Sequence, residues 1–457
     1  MAGIGFELKK ILRRDTFLSE AAAYFYGGLI SSGPWLMSII CLGILGLYSQ
    51  AGLNRHQHEL FRATVIYSYA FSLIFVGTLQ LVTTRYLADR LYAHDNNVIA
   101  ATFMSSLLLI LCIGCPFAAA GYALFIISTL HKILAIGLFL IISLIWLCMI
   151  FLSAIKDYNS IVHGFALGTI VSILAAFMLG PHLGTEGYLL GYSSGQLLIL
   201  CWLMARFLVE FPPRFQIIDH KLLAYFTKYW ELAVIGFCFN LAIWVDKFIF
   251  WLAPNARMIA PWFMTNDLYE GPIFFSYISI VPALALFMVK IETEFYQHYN
   301  NYYARIVGRQ SMAGILEAKE QMIVSLKDNL REVLIVQGAV TGVCLFFAPQ
   351  IIAMMQLIPL QIPLFRIALL ASFLQILLTL TIIVLFYFDL RKSVLVITMV
   401  FLVSNIILSL LSIHLGLSFY GYGLAYSCLA ALSTAFYLLN KGIYDLEFIT
   451  FASQPTD

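Results

Sequence analysis

Apolar runs of bilayer-spanning length recur along the whole chain and are separated by short polar stretches. At about 20 apolar residues per span, twelve are marked: 21–48, 62–85, 100–127, 133–155, 160–180 and 186–208, then 229–253, 270–291, 332–356, 363–388, 393–414 and 420–440. Residues 1–19 differ in kind. Phe6, Leu8, Ile11, Leu12 and Phe17 alternate with Lys9, Lys10, Arg13 and Arg14, as in an amphipathic helix lying on a membrane surface. The pattern divides the chain into that surface helix, a first six-helix bundle (20–210), a linker (211–228), a second six-helix bundle (229–441) with a long polar interruption at 291–331, and a tail (442–457). The fold class is all-α and integral to a membrane.

Composition agrees: 62% of residues are hydrophobic and 11% charged, against about 25% charged in soluble domains. The net charge of +2 suggests no nucleic-acid partner. Where the basic residues fall matters more. Placing the N-terminus inside leaves only Arg55, Arg62, Lys132, Arg257 and Arg366 on outer segments, so the positive-inside rule puts both termini in the cytoplasm. The eight cysteines all lie in apolar runs, where the side chain acts as a small hydrophobe, and Cys112-x-x-Cys115 has no second pair. His56 and His58 read as part of a solvated loop. No D-x-D, GxxxxGK, HExxH or GxSxG motif occurs, and the longest loop is too short for an enzyme domain. Neither catalysis nor a cofactor or metal is indicated.

The two halves end alike. His182-Leu183-Gly184 followed by GYLLGYSS echoes His414-Leu415-Gly416 followed by GYGLAYSC. Six spans per half give both halves the same orientation, the parallel repeat of many transporters, with substrate expected between the bundles. Gly187, Gly191 and Gly195, and Gly164 and Gly168, recur every four residues and predict close helix packing. Gly33-Pro34 in the first span is a candidate hinge, because proline removes a helix hydrogen bond.

The candidate chemistry is concentrated in the second half. Asp246 and Lys247 interrupt the span FNLAIWVDKFIFW, where each charge costs about 2.5–3.5 kcal/mol to insert. Successive helical side chains diverge by about 100°, so the two are not expected to pair with each other, and Asp246 should find its partner on another helix. Two readings of Lys247 stay open: it lines a pathway, or it snorkels to the nearer interface. Asn240 and Trp244 in the same span, Asp267, Tyr269 and Glu270 entering the next, and Arg366 entering the tenth complete the candidate pathway. Aromatic faces with carboxylates and amides suit sugar rings, although Trp251, Trp262 and Tyr269 equally suit the aromatic belt of a membrane interface. Between Lys290 and Arg331, the spacing of Phe295, Tyr299, Tyr302 or Tyr303, and Ile306 predicts an amphipathic helix, and that of Ile315, Met322 and Leu326 a second, broken near 308–314. They could receive a cytosolic partner or simply cover the membrane surface.

MAGIGFEL at the start, Gly33-Pro34-Trp35, FNLAIWVDKFIFW, and the stretch from Tyr269 through YEGPIFFSYISIVPALALF to Ile291-Glu292-Thr293-Glu294-Phe295-Tyr296 together resemble the PelG family, inner-membrane transporters of bacterial Pel exopolysaccharide systems. Glu270 stands where aspartate would be expected. The resemblance implies a twelve-helix member of the multidrug/oligosaccharidyl-lipid/polysaccharide flippase superfamily. It also implies export of a polymer rich in N-acetylgalactosamine, and partnership with a cytosolic glycosyltransferase, a cyclic di-GMP receptor and a tetratricopeptide-repeat protein. On this view the aromatic stripe at 295–306 is a docking surface. Two other readings remain: an ion-coupled exporter of small molecules or lipid-linked oligosaccharides with Asp246 as coupling carboxylate, and a membrane scaffold for the glycosyltransferase.

Overall fold

The computed structural model describes residues 17–95, 98–212 and 219–452. The amphipathic stretch expected over 1–19 lies almost entirely outside the described residues. The first half contains α1 (Phe17–Gly52), α2 (Arg55–Tyr92), α3 (Ile99–Ala123), α4 (Thr129–Ala154) and α5 (Tyr158–Glu210). A short linker helix, α6 (His220–Lys228), leads to α7 (Trp230–Phe250). Two strands follow, β1 (Arg257–Ala260) and β2 (Phe263–Thr265), and then α8 (Asp267–Ile278), α9 (Val281–Lys290), a π-helical turn at Ile291–Phe295 and α10 (Tyr296–Val307). The chain finishes with α11 (Met312–Phe346), α12 (Ala348–Met354), α13 (Ile362–Tyr387), α14 (Arg391–Leu415), α15 (Tyr422–Tyr444) and α16 (Leu446–Ala452).

Eleven helical segments among the described residues are long and apolar enough to cross a membrane. Twelve spans were expected, and the difference lies in α5, which holds two. Gly184 sits within it at φ 62°, ψ −137°, a conformation open essentially to glycine alone, and the chain folds back on itself there. The Ser172 hydroxyl donates to the Tyr192 carbonyl at 3.0 Å, and a Cβ on Gly195 or Gly191 would strike the opposing arm. The four-residue glycine spacing is thus the contact face of a helical hairpin. Its counterpart in the second half turns at Gly416, also at positive φ (94°), which gives the echoed His-Leu-Gly a shared backbone cause.

The first bundle packs around Phe103, Phe151, Leu203 and Phe207, with a second cluster around Phe61, Tyr188 and Tyr192. The second bundle has one large core running from α7 through α15. The bundles meet along two seams, α2 on α7 and α1 on α9. On the first, Gly77 and Gly236 bring the backbones into contact: a Cβ on Gly77 would lie 2.8 Å from the Gly236 carbonyl oxygen, and one on Gly236 would overlap the Gly77 carbonyl. On the second, Gly27 and Gly28 face Val289 and Ala285. Helix α1 runs unbroken through Gly33-Pro34, where Ser38 donates to the Pro34 carbonyl at 3.0 Å.

The polar interruption folds as predicted into two helices parted at 308–311, but its aromatic stripe turns inward. Phe295 and Tyr302 are fully buried, and the Tyr299 hydroxyl donates to the Tyr387 carbonyl at 2.9 Å. With Tyr303 and Ile306 packed on the same core, these five residues are structural, and the expectation of a docking stripe there is corrected. The cause is length. At 35 residues, α11 extends about 52 Å against a hydrocarbon core of about 30 Å, so its projecting end needs α10 as a packing partner.

Outside the spans, Asp157 is held below the usual carboxylate range. Burial pushes its pKa up, but hydrogen bonds from Arg206 and Ser160 outweigh burial. A depressed folded-state pKa gives stability that is present above the unfolded value and lost as pH falls through the folded one. An Asp157→Asn variant should therefore show a shallower acid-induced loss of stability below about pH 4, readable by thermal melting in detergent. Gly236→Leu should destabilise the protein by at least about 1–3 kcal/mol through overpacking. Gly338→Leu, where open space surrounds the glycine, should leave the melting temperature nearly unchanged.

Candidate functional site

Helix α7 presents two faces. Gly236, Asn240, Trp244 and Phe248 follow one another at four-residue spacing, and three of them meet α2: Gly236 and Asn240 lie against Gly77, and the Phe248 ring stacks on Phe71 at 5.2 Å. Asn240 spends its amide on the Gly236 carbonyl at 2.8 Å. Trp251 continues this line and stacks on Tyr67, with centroids 4.1 Å apart and planes 4° from parallel.

Asp246 points away from that row into the second bundle, and Lys247, whose stem starts near the row beside Trp244, bends its ammonium over to it. Asp246 is fully buried and the Lys247 side chain is 8% exposed. The ammonium donates to both carboxylate oxygens, at 3.0 and 3.1 Å, and to the Ile243 carbonyl at 2.8 Å. The Tyr269 hydroxyl of α8 donates to Asp246 Oδ2 at 2.8 Å. Around the ammonium lie the rings of Tyr277 (5.6 Å) and Trp244 (5.9 Å). The Tyr277 hydroxyl donates to Gln375 of α13 at 2.8 Å. Two expectations are thereby corrected. The adjacent charges do pair, because a lysine stem is long enough to curl back over one residue despite the divergence of the Cβ directions. Lys247 neither snorkels nor lines an open pathway in this conformation. The expectation of a partner on another helix for Asp246 is met by Tyr269, which is a buried ligand of the pair and not a belt residue.

The other candidates go elsewhere. Glu270 accepts from the Trp251 indole and from the Asn266 backbone N–H at 3.1 Å, and so ties the start of α8 to the end of α7. Trp251 is buried, whereas Trp262 is 79% exposed as an interface residue would be. Asp267 pairs across the bundles with Arg62 at 3.0 Å. Arg366 is exposed and makes no ion pair among the described residues.

A feature absent from the sequence reading is the antiparallel β-hairpin 257–265, which clasps the first bundle. Arg257 reaches Glu59 at 2.5 Å, the His56 ring meets the Ile259 carbonyl at 2.8 Å, and the Tyr67 hydroxyl donates to the Met264 carbonyl at 2.8 Å. Phe263 is fully buried between Tyr67 and Phe125, at 4.6 Å from each. Its turn, Pro261-Trp262, lacks the Asn-Gly or Asp-Gly signature of a tight hairpin, and its strands are only four and three residues long. The available signal was the pair of prolines, Pro254 and Pro261, ending one helix and delaying the next.

Tyr269→Phe removes a hydroxyl from a buried carboxylate and should cost about 1–3 kcal/mol, measured as a lower melting temperature with the helical content kept. A charge swap tests the clasp. Glu59→Arg should speed labelling of a cysteine placed at Ile66 by a membrane-impermeant maleimide, and Glu59→Arg with Arg257→Glu should slow it again.

Among solved structures, the fold is similar to a transporter of the multidrug/oligosaccharidyl-lipid/polysaccharide superfamily from Pyrococcus furiosus (TM-score 0.67, 14% identity, covering 93% of this chain and 96% of that one). It is also similar to a multidrug-resistance transporter of the MATE family in an outward-facing conformation (0.67, 15%, 93% and 96%) and in an inward-facing one (0.64, 14%, 93% and 99%). These likenesses establish the two-lobed transporter fold. No curated protein matches. At the level of families the match is to PelG, described as "Putative exopolysaccharide Exporter (EPS-E)", over residues 1–451, and the chain belongs to that family.

Proposed function

We propose that this chain carries an amino-sugar-rich exopolysaccharide of the Pel kind across the bacterial inner membrane, along the seam between its two bundles. The observation that carries this reading is the match to an exopolysaccharide-exporter family over nearly the whole chain, joined to a two-lobed transporter fold. The residues along the seam are of a fitting kind: Asn240 and Phe248, packed against α2 in this closed conformation, become an amide beside an aromatic face when the bundles part, a combination suited to the hydroxyls and apolar faces of sugar rings. The Arg62–Asp267 pair, half-exposed at the hairpin end, adds hydrogen-bonding charge there. The chain acts by binding and moving polymer, without bond chemistry of its own. The cytosolic glycosyltransferase, the cyclic di-GMP receptor and the tetratricopeptide-repeat protein are its proposed partners, and both termini face the cytoplasm in keeping with the distribution of basic residues. With the stripe at 295–306 turned toward the chain's own core, the projecting ends of α10 and α11 offer a docking face through Val307, Met312 and Leu316, all exposed.

The test is reconstitution with the glycosyltransferase and its sugar nucleotide in vesicles, followed by location of the product. Polymer should accumulate across the membrane from the site of synthesis and resist an added glycosidase. Polymer confined to the synthesis side would contradict the proposal.

A further inference from the structure

The buried pair in the second bundle bears on how transport is driven, whatever the polymer. A carboxylate with no exposure inside a membrane bundle needs a positive counter-charge. In a transporter that charge can be a mobile one, a proton or a metal cation taken from one side and released to the other. Here Lys247 supplies it from the next residue of the same helix. Its ammonium sits on both Asp246 oxygens, and its third N–H goes to the Ile243 carbonyl. The oxygens it engages, a carboxylate pair and a main-chain carbonyl flanked by aromatic faces, are those a small monovalent cation would use. The Tyr269 hydroxyl closes the carboxylate's remaining side.

We infer that the Lys247 ammonium is a tethered counter-cation that occupies, permanently, the position a coupling ion would otherwise take at Asp246, so that cation exchange at this carboxylate does not drive transport. The inference rests on the family assignment as a transporter and not on the identity of the polymer. It assigns Lys247 a specific role, that of keeping Asp246 closed to sodium and protons. The tether is covalent, so the nitrogen that carries this charge cannot leave the site for either side of the membrane. The titratable groups facing the pair are Tyr269 and Tyr277 on α8 and Cys428 on α15. The neighbouring contact from α14, the Asn405 amide on the Ala242 carbonyl at 2.8 Å, carries no charge.

Lys247→Met keeps the length and apolar stem but removes the charge, which opens the site. The measurement is the melting temperature of the full chain in detergent, in sodium chloride against N-methylglucamine chloride and at pH 5.5 against pH 8. The wild type should be indifferent to sodium. Lys247→Met should become sodium-stabilised or acid-stabilised by several degrees, and the charge-free Asp246→Asn/Lys247→Met should lose that response. A wild type stabilised by sodium in a manner abolished by Asp246→Asn/Lys247→Met would overturn the inference. So would a folded Lys247→Met protein indifferent to both sodium and pH. Should Lys247→Met fail to fold, the wild type against the double variant decides alone: equal indifference supports the tethered cation, and sodium dependence in the wild type only refutes it.

Discussion

The contact of backbone on backbone where Gly77 meets Gly236 sets the geometry from which the rest of the molecule follows. Two helices from different bundles bring their backbones together there, with only the Asn240 side chain folded over Gly77, and the contact of α2 with α7 continues through Phe71 on Phe248 and Tyr67 on Trp251. That approach fixes which side of α7 belongs to the seam and which to the second bundle. Residues in the row of Asn240 and Phe248 are committed to α2. Asp246, more than a third of a turn from the middle of that row, is committed to the interior shared with α8, α13 and α15, and Lys247, seven residues from Asn240 and so close to the row, bends its ammonium across to it. A second glycine approach, Gly27 and Gly28 against Val289 and Ala285, holds α1 to α9.

Much of the architecture was legible in the sequence, because a bilayer allows few solutions. Spans, their number, the repeat and the glycine-lined hairpins all follow from apolar length and small-residue spacing. The structure adds a backbone reason for the echo of His182-Leu183-Gly184 in His414-Leu415-Gly416, namely a positive φ at each turn. The site was less legible, and the reasons are physical. Counting helical angles treats side chains as fixed spokes, whereas a lysine has four rotatable bonds and can bring its charge to a neighbour 100° away, as Lys247 does. Periodicity places Phe295, Tyr299 and Tyr302 on one face correctly. It cannot say whether that face meets a partner or the chain's own helices, and here the chain's own core covers it, α13 taking Phe295 and Tyr299 through Tyr387. The hairpin at 257–265 was hidden because its strands are too short to show alternation.

The clasp and the ion pair lie on opposite faces of the same few turns of structure. Glu270 links them: through the Trp251 indole it touches the helix end that stacks on Tyr67, and through Asn266 it caps the helix carrying Tyr269. A displacement of the hairpin away from α2 would therefore pull on the element that supplies the hydroxyl to Asp246. The outer closure and the interior charge are joined by side-chain contacts spanning a single turn of α8.

The linker has a mechanical consequence of its own. Asp219, just before α6, is held inside the first bundle by the Tyr86 hydroxyl at 2.5 Å, the Thr102 hydroxyl at 3.0 Å and Ser105 at 2.7 Å. Between α6 and α7 a single residue, Tyr229, leaves helical geometry, at φ −121° and ψ 41°. Two guanidinium groups rest on its ring, Arg85 of the first bundle at 5.6 Å and Arg391 of the second at 5.0 Å. Tyr229 is thus the single non-helical joint between α6 and α7, and a cation from each lobe rests on its ring, so the covalent connection and the cation–ring contacts of the two lobes converge on one residue.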